Sequence, residues 1–305
     1  MIWRLIAVTF AVACLLLIWA RVEAGLLHKV YSRVTVRKEH SADSLVTHQT
    51  LGCDQPCTPN RPPLRIALIS DFHGRLLKVS IPKLAKAIRS AKVDLVLFAG
   101  DLISRKEDAT RGFAQMVELI DLLKPEGIQI YAVRGNHDAG IPPERYHAAG
   151  PRLLENETIV ISDRNGLYWC VVGLPDPRAA VPRFDLALQS PAPSSPIHNV
   201  RPESVPPHRR IVLAHDPDQI HQLNRRQCST LLAGHFHGGQ IRLPFRLECR
   251  LLRRKDRLCR QGVYRWHFER NGIRGYITKG VGCVLLPLRF LCPPELSILD
   301  FYTES

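Results

Sequence analysis

Five short apolar runs in this 305-residue chain each end in acid, imidazole or amide side chains. Residues 64–70 run into Asp71, Phe72, His73 and Gly74, and residues 94–99 into Gly100 and Asp101. Residues 128–133 lead to Gly135, Asn136, His137 and Asp138; residues 210–214 to His215 and Asp216; residues 230–233 to Gly234, His235, Phe236, His237, Gly238 and Gly239. Apolar runs of this length, bounded by turn residues, read as buried strands. Helical spacing separates the first three: residues 82–91 place Leu84, Ala87 and Ile88 on one face, and residues 113–123 repeat the pattern. Strand–helix–strand units imply right-handed parallel crossovers. Parallel strands bring their C-terminal ends to one sheet edge, where open α/β sheets build their sites.

Further along, Asn165 and Gly166 lie between apolar residues 158–161 and 167–172, a strong hairpin signal. Residues 190–207, rich in Pro and Ser, read as a surface loop. Residues 262–266, 274–278 and 296–301 are weaker strand candidates. The expected architecture is a layered α/β domain with a mixed sheet or two packed sheets. Residues 1–24 are expected to form a membrane anchor, residues 25–63 a juxtamembrane segment and polar linker, and residues 64–305 the domain.

Carboxylate and imidazole donors suit Zn, Mn, Fe or Ni better than Ca, which prefers oxygen cages. Alternation along an extended segment would point Asp71 and His73 the same way, and likewise His235 and His237. Each motif alone has an ordinary explanation. An Asp and a His two apart often form a turn or cap, Gly135 with Asn136 reads as a turn, and His137 or His215 alone would be a hydrogen-bonded histidine. Five such endings, all at strand ends, point instead to a two-metal site, able to clamp both oxygens of an in-line displacement at phosphorus.

The five segments resemble the motif series of the calcineurin-like metallophosphoesterases, from residue 64 to the C-terminus. The resemblance implies a four-layer α/β/β/α sandwich and two divalent metal ions, Mn, Fe or Zn. By position it implies that Asp71, His73 and His237 hold the first ion, Asn136, His215 and His235 the second, and that Asp101 bridges them. It implies further that His137 donates a proton to the leaving oxygen or stabilises the transition state, with Asp138 orienting it. Residues 238–244 and 288–296 are similar to a bacterial subgroup with N-terminal membrane or export segments. That subgroup includes phosphodiesterases and a UDP-2,3-diacylglucosamine pyrophosphatase of lipid A synthesis. Phe236 departs from it, standing between two ligand positions where Thr is usual.

Residues 5–20 are uncharged and apolar between Arg4 and Arg21, with Trp3 and Trp19 near the two ends. The run is slightly short for a spanning helix, and Ile2 and Trp3 extend it. A cleaved signal peptide ending at Val22, Glu23 and Ala24 is the competing reading. Arg21, Lys29, Arg33, Arg37 and Lys38 follow the run, whereas Arg4 alone precedes it, which places the domain on the cytoplasmic side of the inner membrane. The formal net charge of +14 favours anionic partners. Residues 245–260 carry much of it: as a helix they would set Leu247, Leu251 and Leu258 on one face against a membrane, with Arg254 breaking the pattern, and as a loop they would be solvated. Phe245 is their only aromatic, which disfavours a nucleic-acid groove.

The nine cysteines (Cys14, Cys53, Cys57, Cys170, Cys228, Cys249, Cys259, Cys283 and Cys292) show no zinc-type spacing and read as buried thiols. Disulfides between Cys53 and Cys57, or Cys249 and Cys259, would require a location outside the cytoplasm. Three functions follow: hydrolysis of a lipid-linked pyrophosphate or phosphodiester at the membrane, hydrolysis of a soluble phosphate ester, or a non-catalytic module. The filled set of ligand positions disfavours the third.

Overall fold

A computed structural model of the chain describes residues 1–37, 50–51 and 63–304. The first half holds α1 (Ile2–Glu23), β1 (His28–Arg37), β2 (Thr50–Leu51), β3 (Leu64–Ile69), α2 (Ile81–Ala91), β4 (Leu95–Phe98), α3 (Ala109–Leu123), β5 (Gln129–Ala132), α4 (Pro143–Ala149) and β6 (Arg152–Leu153). The second half holds β7 (Glu157–Ser162), β8 (Tyr168–Gly173), α5 (Phe184–Gln189), β9 (Arg210–Leu213), β10 (Thr230–Ala233), α6 (Leu247–Leu252), α7 (Arg257–Arg260), β11 (Trp266–Arg270), β12 (Ile273–Ile277) and β13 (Glu295–Glu304).

The strands form a seven-stranded sheet, ordered β2-β1-β13-β3-β4-β5-β6, and a six-stranded sheet, ordered β11-β12-β10-β9-β8-β7. Strands β3 to β6 are parallel, as are β8, β9, β10 and β12, so both sheets send their ligand-bearing loops to one edge. Period-two alternation builds the layers. Ile66, Leu68, Leu97, Ile211 and Leu213 point between the sheets, where Trp169, Tyr131 and Tyr276 also pack. Ala67, Ile69, Val96 and Phe98 face the opposite way, onto Leu84 and Ile88 of α2 and Met116 and Leu119 of α3. Val212 and Leu231 face the second outer layer, with Phe184 of α5 and Leu258 of α7. The result is the expected four-layer α/β/β/α sandwich. Its second helical layer consists of short helices and 3-10 turns.

Several boundaries differ from the sequence expectation. The segment read as juxtamembrane contributes β1, which pairs in parallel with β13 along its whole length, from His28 with Glu295 to Arg37 with Glu304. The sheet therefore begins well before residue 64. Most of the expected linker, with Lys38, Cys53 and Cys57, lies outside the described residues; β2 from it pairs antiparallel with β1. The strand expected at 262–266 instead begins at Trp266. Amides of Gly262 and Val263 donate to the Cys259 and Leu258 carbonyls to close α7. The chain then turns at Asn271 and Gly272 to pair β11 with β12.

Helix α1 has 22 residues, long and apolar enough to cross a membrane. At 1.5 Å per residue it spans about 33 Å, against a hydrocarbon core of about 30 Å. Its C-terminal end is fixed to the domain. The Ala20 carbonyl accepts the Arg289 amide at 2.9 Å, and the buried Glu23 carboxylate accepts the amides of Leu291 and Cys292 at 3.1 and 2.5 Å.

Candidate metal centre

The loops after β3, β4, β5, β9 and β10 bring all seven ligand candidates together at one edge. Asp71 Oδ1, His73 Nε2 and His237 Nε2 form one group, with separations of 3.1 Å between the imidazoles and 3.3 and 3.9 Å from the carboxylate. His215 Nε2 lies 3.0 Å from Asn136 Oδ1, 3.0 Å from His235 Nδ1 and 3.3 Å from Asp101 Oδ2. The same Asp101 oxygen is 3.7 Å from His73 Nε2, so it reaches both groups. Donors about 2.1 Å from one ion sit roughly 3.0–3.4 Å apart, and these separations straddle that range. Among the described residues, three overlapping clusters could hold a metal ion: Asp71, His73 and His237; His73, Asp101 and His137; and Asp101, His215 and His235.

Outer contacts set the tautomers. His73 Nδ1 bonds to the Ile103 carbonyl at 3.2 Å and His215 Nδ1 to the Ala99 carbonyl at 2.7 Å. A carbonyl only accepts, so each Nδ1 carries a proton and each Nε2 faces the centre. Asp71 Oδ1 is buried without a hydrogen-bond donor, while Ser70 Oγ bonds to Oδ2. A buried carboxylate oxygen lacking a donor fits a cation.

Charge follows the same logic. Burial pushes His73 down to about 3 and His235 down to about 4, and holds His237 well below the usual range, so these imidazoles are neutral as metal ligation requires. Burial opposes charge on His215 too, but the Asp101 carboxylate prevails and raises it to about 10. Burial works against Asp101 as well, yet His215 and His73 hold it well below the usual carboxylate range. Asp71 is pushed up to about 6 by burial, with Asp101 adding repulsion against the pull of His215.

The backbone is not extended here, contrary to the alternation argument. Asp71, His73, Asp101, His235 and His237 all have left-handed φ, between 52° and 73°. Such conformations cost about 1–2 kcal/mol each for non-glycine residues. They let His235 and His237 diverge, one toward His215 and the other toward Asp71. Gly135 is required by close approach: a Cβ there would lie 2.2 Å from Asp101 Oδ1.

His137 stands beside the first group, its ring 5.0 Å from that of His73. Its Nδ1 donates to the Ser104 carbonyl at 2.8 Å, leaving Nε2 available to substrate. The expectation that Asp138 orients His137 is corrected. The buried Asp138 carboxylate accepts amides of Asp101 at 2.8 Å, Gly135 at 2.9 Å and Leu102 at 3.0 Å, so it fastens the β4 loop to the β5 loop. Backbone donors surround it, and Ser104 holds the imidazole.

Sequence reasoning counted Arg253 and Asp256 in the basic stretch but did not place them at the centre. Residues 247–260 form α6 and α7 with a turn between, not one amphipathic helix. Leu258 is buried, whereas Leu247 and Leu251 are exposed. Asp218 caps α7 through the amides of Arg257 and Leu258 at 2.5 and 2.8 Å. The buried thiols of Cys249 and Cys259 touch at 2.6 Å between the helices. The turn delivers Arg253, whose Nη2 donates to the His235 carbonyl at 2.8 Å, and Asp256, 3.8 Å from His235 Nε2. No periodic signal marks either residue. A cavity of about 630 Å³ opens from Asp101, His137, His235 and His237, with Arg178, Arg253, Arg254 and Lys255 on its polar walls and Ile241, Leu243 and Val284 on its apolar side. Phe236 also lines it.

A sandwich whose parallel strands converge on clustered Asp, His and Asn donors defines a metallophosphoesterase. Residues 64–239 match the family model for calcineurin-like phosphoesterases, and the chain belongs to that family. It is 31% identical over 257 residues to a metallophosphoesterase of Helicobacter pylori, covering 79% of this chain and 60% of that protein, so it spans well under the relative's full length. It is 30% identical over 250 residues to the phosphodiesterase YaeI of Escherichia coli, covering 79% and 83% of the two chains. A more distant relative, at 26% identity over 300 residues with 77% and 83% covered, is the UDP-2,3-diacylglucosamine pyrophosphatase LpxG of Chlamydia muridarum.

Proposed function

We propose that the chain hydrolyses the pyrophosphate bond of UDP-2,3-diacylglucosamine, yielding UMP and the lipid monophosphate, on the cytoplasmic side of the inner membrane to which α1 anchors it. The observation that carries this reading is the pair of donor groups sharing Asp101 and opening into a cavity with both cationic and apolar walls. Asp71, His73 and His237 would hold one divalent ion, and Asn136, His215 and His235 the other, with Asp101 between them. When bound, such ions supply Lewis-acid stabilisation of charge on phosphoryl oxygens and activation of water for in-line attack. His137, held by Ser104, donates a proton from Nε2 to the leaving phosphate oxygen. Arg253 and Arg178 draw the diphosphate toward the donors and offset its charge. The distant relative's name supports the lipid pyrophosphate, and the cationic residues after Ala20 support the cytoplasmic placement.

The nearer relationship to a protein named as a phosphodiesterase supports a second reading, a simple phosphodiester substrate. Full-length protein in detergent with Mn²⁺ separates the two. Release of UMP from UDP-2,3-diacylglucosamine supports the first. Turnover of bis(p-nitrophenyl) phosphate without UMP release defeats it and leaves the second standing.

A further inference from the structure

The large apolar side chains exposed outside α1 concentrate in two segments. Phe245, Leu247 and Leu251 are 80%, 37% and 54% exposed, and Leu285, Leu286 and Leu291 are 78%, 55% and 58% exposed. The two segments form one surface. Gln240 Nε2 donates to the Val284 and Leu286 carbonyls at 2.9 and 3.1 Å, and the Arg242 amide donates to the Phe290 carbonyl at 3.0 Å. Leu251, Leu285 and Leu286 border the same cavity as the metal-ligand candidates.

Two further facts show that this apolar surface is built and not incidental. Phe245, Leu285 and Leu291, its most exposed members, all hold left-handed φ of 55–62°. Bulky residues avoid that region, and the strain is retained where surrounding structure enforces it. The segment carrying Leu291 is also the one bonded to the C-terminal end of α1, through Ala20 and Glu23. The segment bearing Leu291 therefore lies beside the end of α1. Arg21, Arg246, Arg250 and Arg254 are exposed around the apolar surface, matching anionic headgroups. Exposed apolar patches rimmed by polar residues mark interaction sites, and here both continuity with the anchor helix and the sign of the rim favour lipid.

We propose that the segments bearing Phe245 to Leu251 and Leu285 to Leu291 insert into the lipid interface as a second membrane contact, turning the mouth of the cavity onto the bilayer so that substrate enters from the membrane. The inference rests on α1 spanning the bilayer. Insertion of these side chains would add a second point of attachment beside the one that α1 provides.

The test places the photo-crosslinker p-benzoylphenylalanine singly at Phe245, Leu285 or Leu291 of the full chain, in nanodiscs of phosphatidylglycerol and phosphatidylethanolamine. Leu16 within α1 serves as the spanning control, and Leu167, exposed at the opposite end of the six-stranded sheet, as the solvent control. The expected result is lipid adducts at Leu16 and at the three face positions, at least tenfold above Leu167. Adducts at Leu16 alone overturn the docking face while α1 keeps its role. Absence of adducts at Leu16 and at the face overturns both. Crosslinks from the face to a second copy of the chain, in place of lipid, also overturn it.

Discussion

Arg289 is a buried cation with no carboxylate partner among the described residues, and its removal gives a demanding test of how the centre is supported. Its guanidinium donates to the carbonyls of Gly282 at 2.5 Å, Lys279 at 2.8 Å, Cys292 at 3.1 Å, Gly280 at 3.2 Å and His237 at 3.4 Å. Gly280 packs against Asp71, where a Cβ would lie 2.7 Å from Oδ2, so the loop that Arg289 gathers forms the back wall of the first donor group. Arg289→Met removes every donor while keeping much of the volume. A buried carbonyl without a partner costs about 1–3 kcal/mol. Three strong contacts would sum to about 3–9 kcal/mol, and relaxation with water entry lowers the total to about 3–5 kcal/mol, as for other broken buried networks. For a domain of this size each kcal/mol lowers Tm by about 2–4 °C, so the variant should melt about 6–20 °C below wild type. Loss of outer support should also weaken metal retention about 10–100-fold. Arg289→Lys keeps three donors and should recover part of both losses. Thermal unfolding by circular dichroism and elemental analysis after dialysis read the two effects. A Met variant melting within about 2 °C of wild type, less than one kcal/mol on this scale, with unchanged metal retention would refute the reasoning.

His137→Ala should retain metal and lose turnover by about 100–10,000-fold, most severely with poor leaving groups, as for other general acids. Equal turnover of an alkyl phosphodiester by wild type and variant would exclude the role. Metal binding should release about one proton per chain at pH 7, because His215 is raised to about 10 while His73 and His235, at about 3 and 4, have none to give. Calorimetry in two buffers of different ionisation enthalpy counts that proton, and its absence at pH 7 would contradict the charge assignment. The raised His215 has a stability consequence of the same sign: in metal-free protein its contribution is full below about 6.5 and is lost as pH rises through about 10.

The core strands and the donor residues were legible because each strand is a short apolar run stopped by Gly, Asp or Asn, and parallel pairing does the rest. What was illegible depends on partners distant in the chain. Strand β1 carries Lys29, Arg33 and Arg37 among its valines and pairs with β13 at the other end of the chain, so its cations read as membrane-flanking charge. Asp138 sits beside His137 in sequence, but its carboxylate is satisfied by amides of the β4 loop, a contact that only the folded loops create. Residues 247–260 have helical spacing of leucines, yet capping by Asp218 and burial of Leu258 break them into α6 and α7 and bring Arg253 to His235. The left-handed backbone at five site residues has no signature in an Asp or His side chain, because the surrounding loops impose it.

Metal content and turnover of Asp101→Asn, side by side with wild type, test the central claim most directly. Asp101 Oδ2 lies within 3.3 Å of His215 Nε2 and 3.7 Å of His73 Nε2, so the substitution removes one charge from both donor groups with little change in shape. The account predicts about two divalent ions per wild-type chain. The variant should lose at least one of them, together with most hydrolysis of bis(p-nitrophenyl) phosphate. A metal-free wild-type protein with full turnover, or a variant that keeps both ions and full activity, would contradict it.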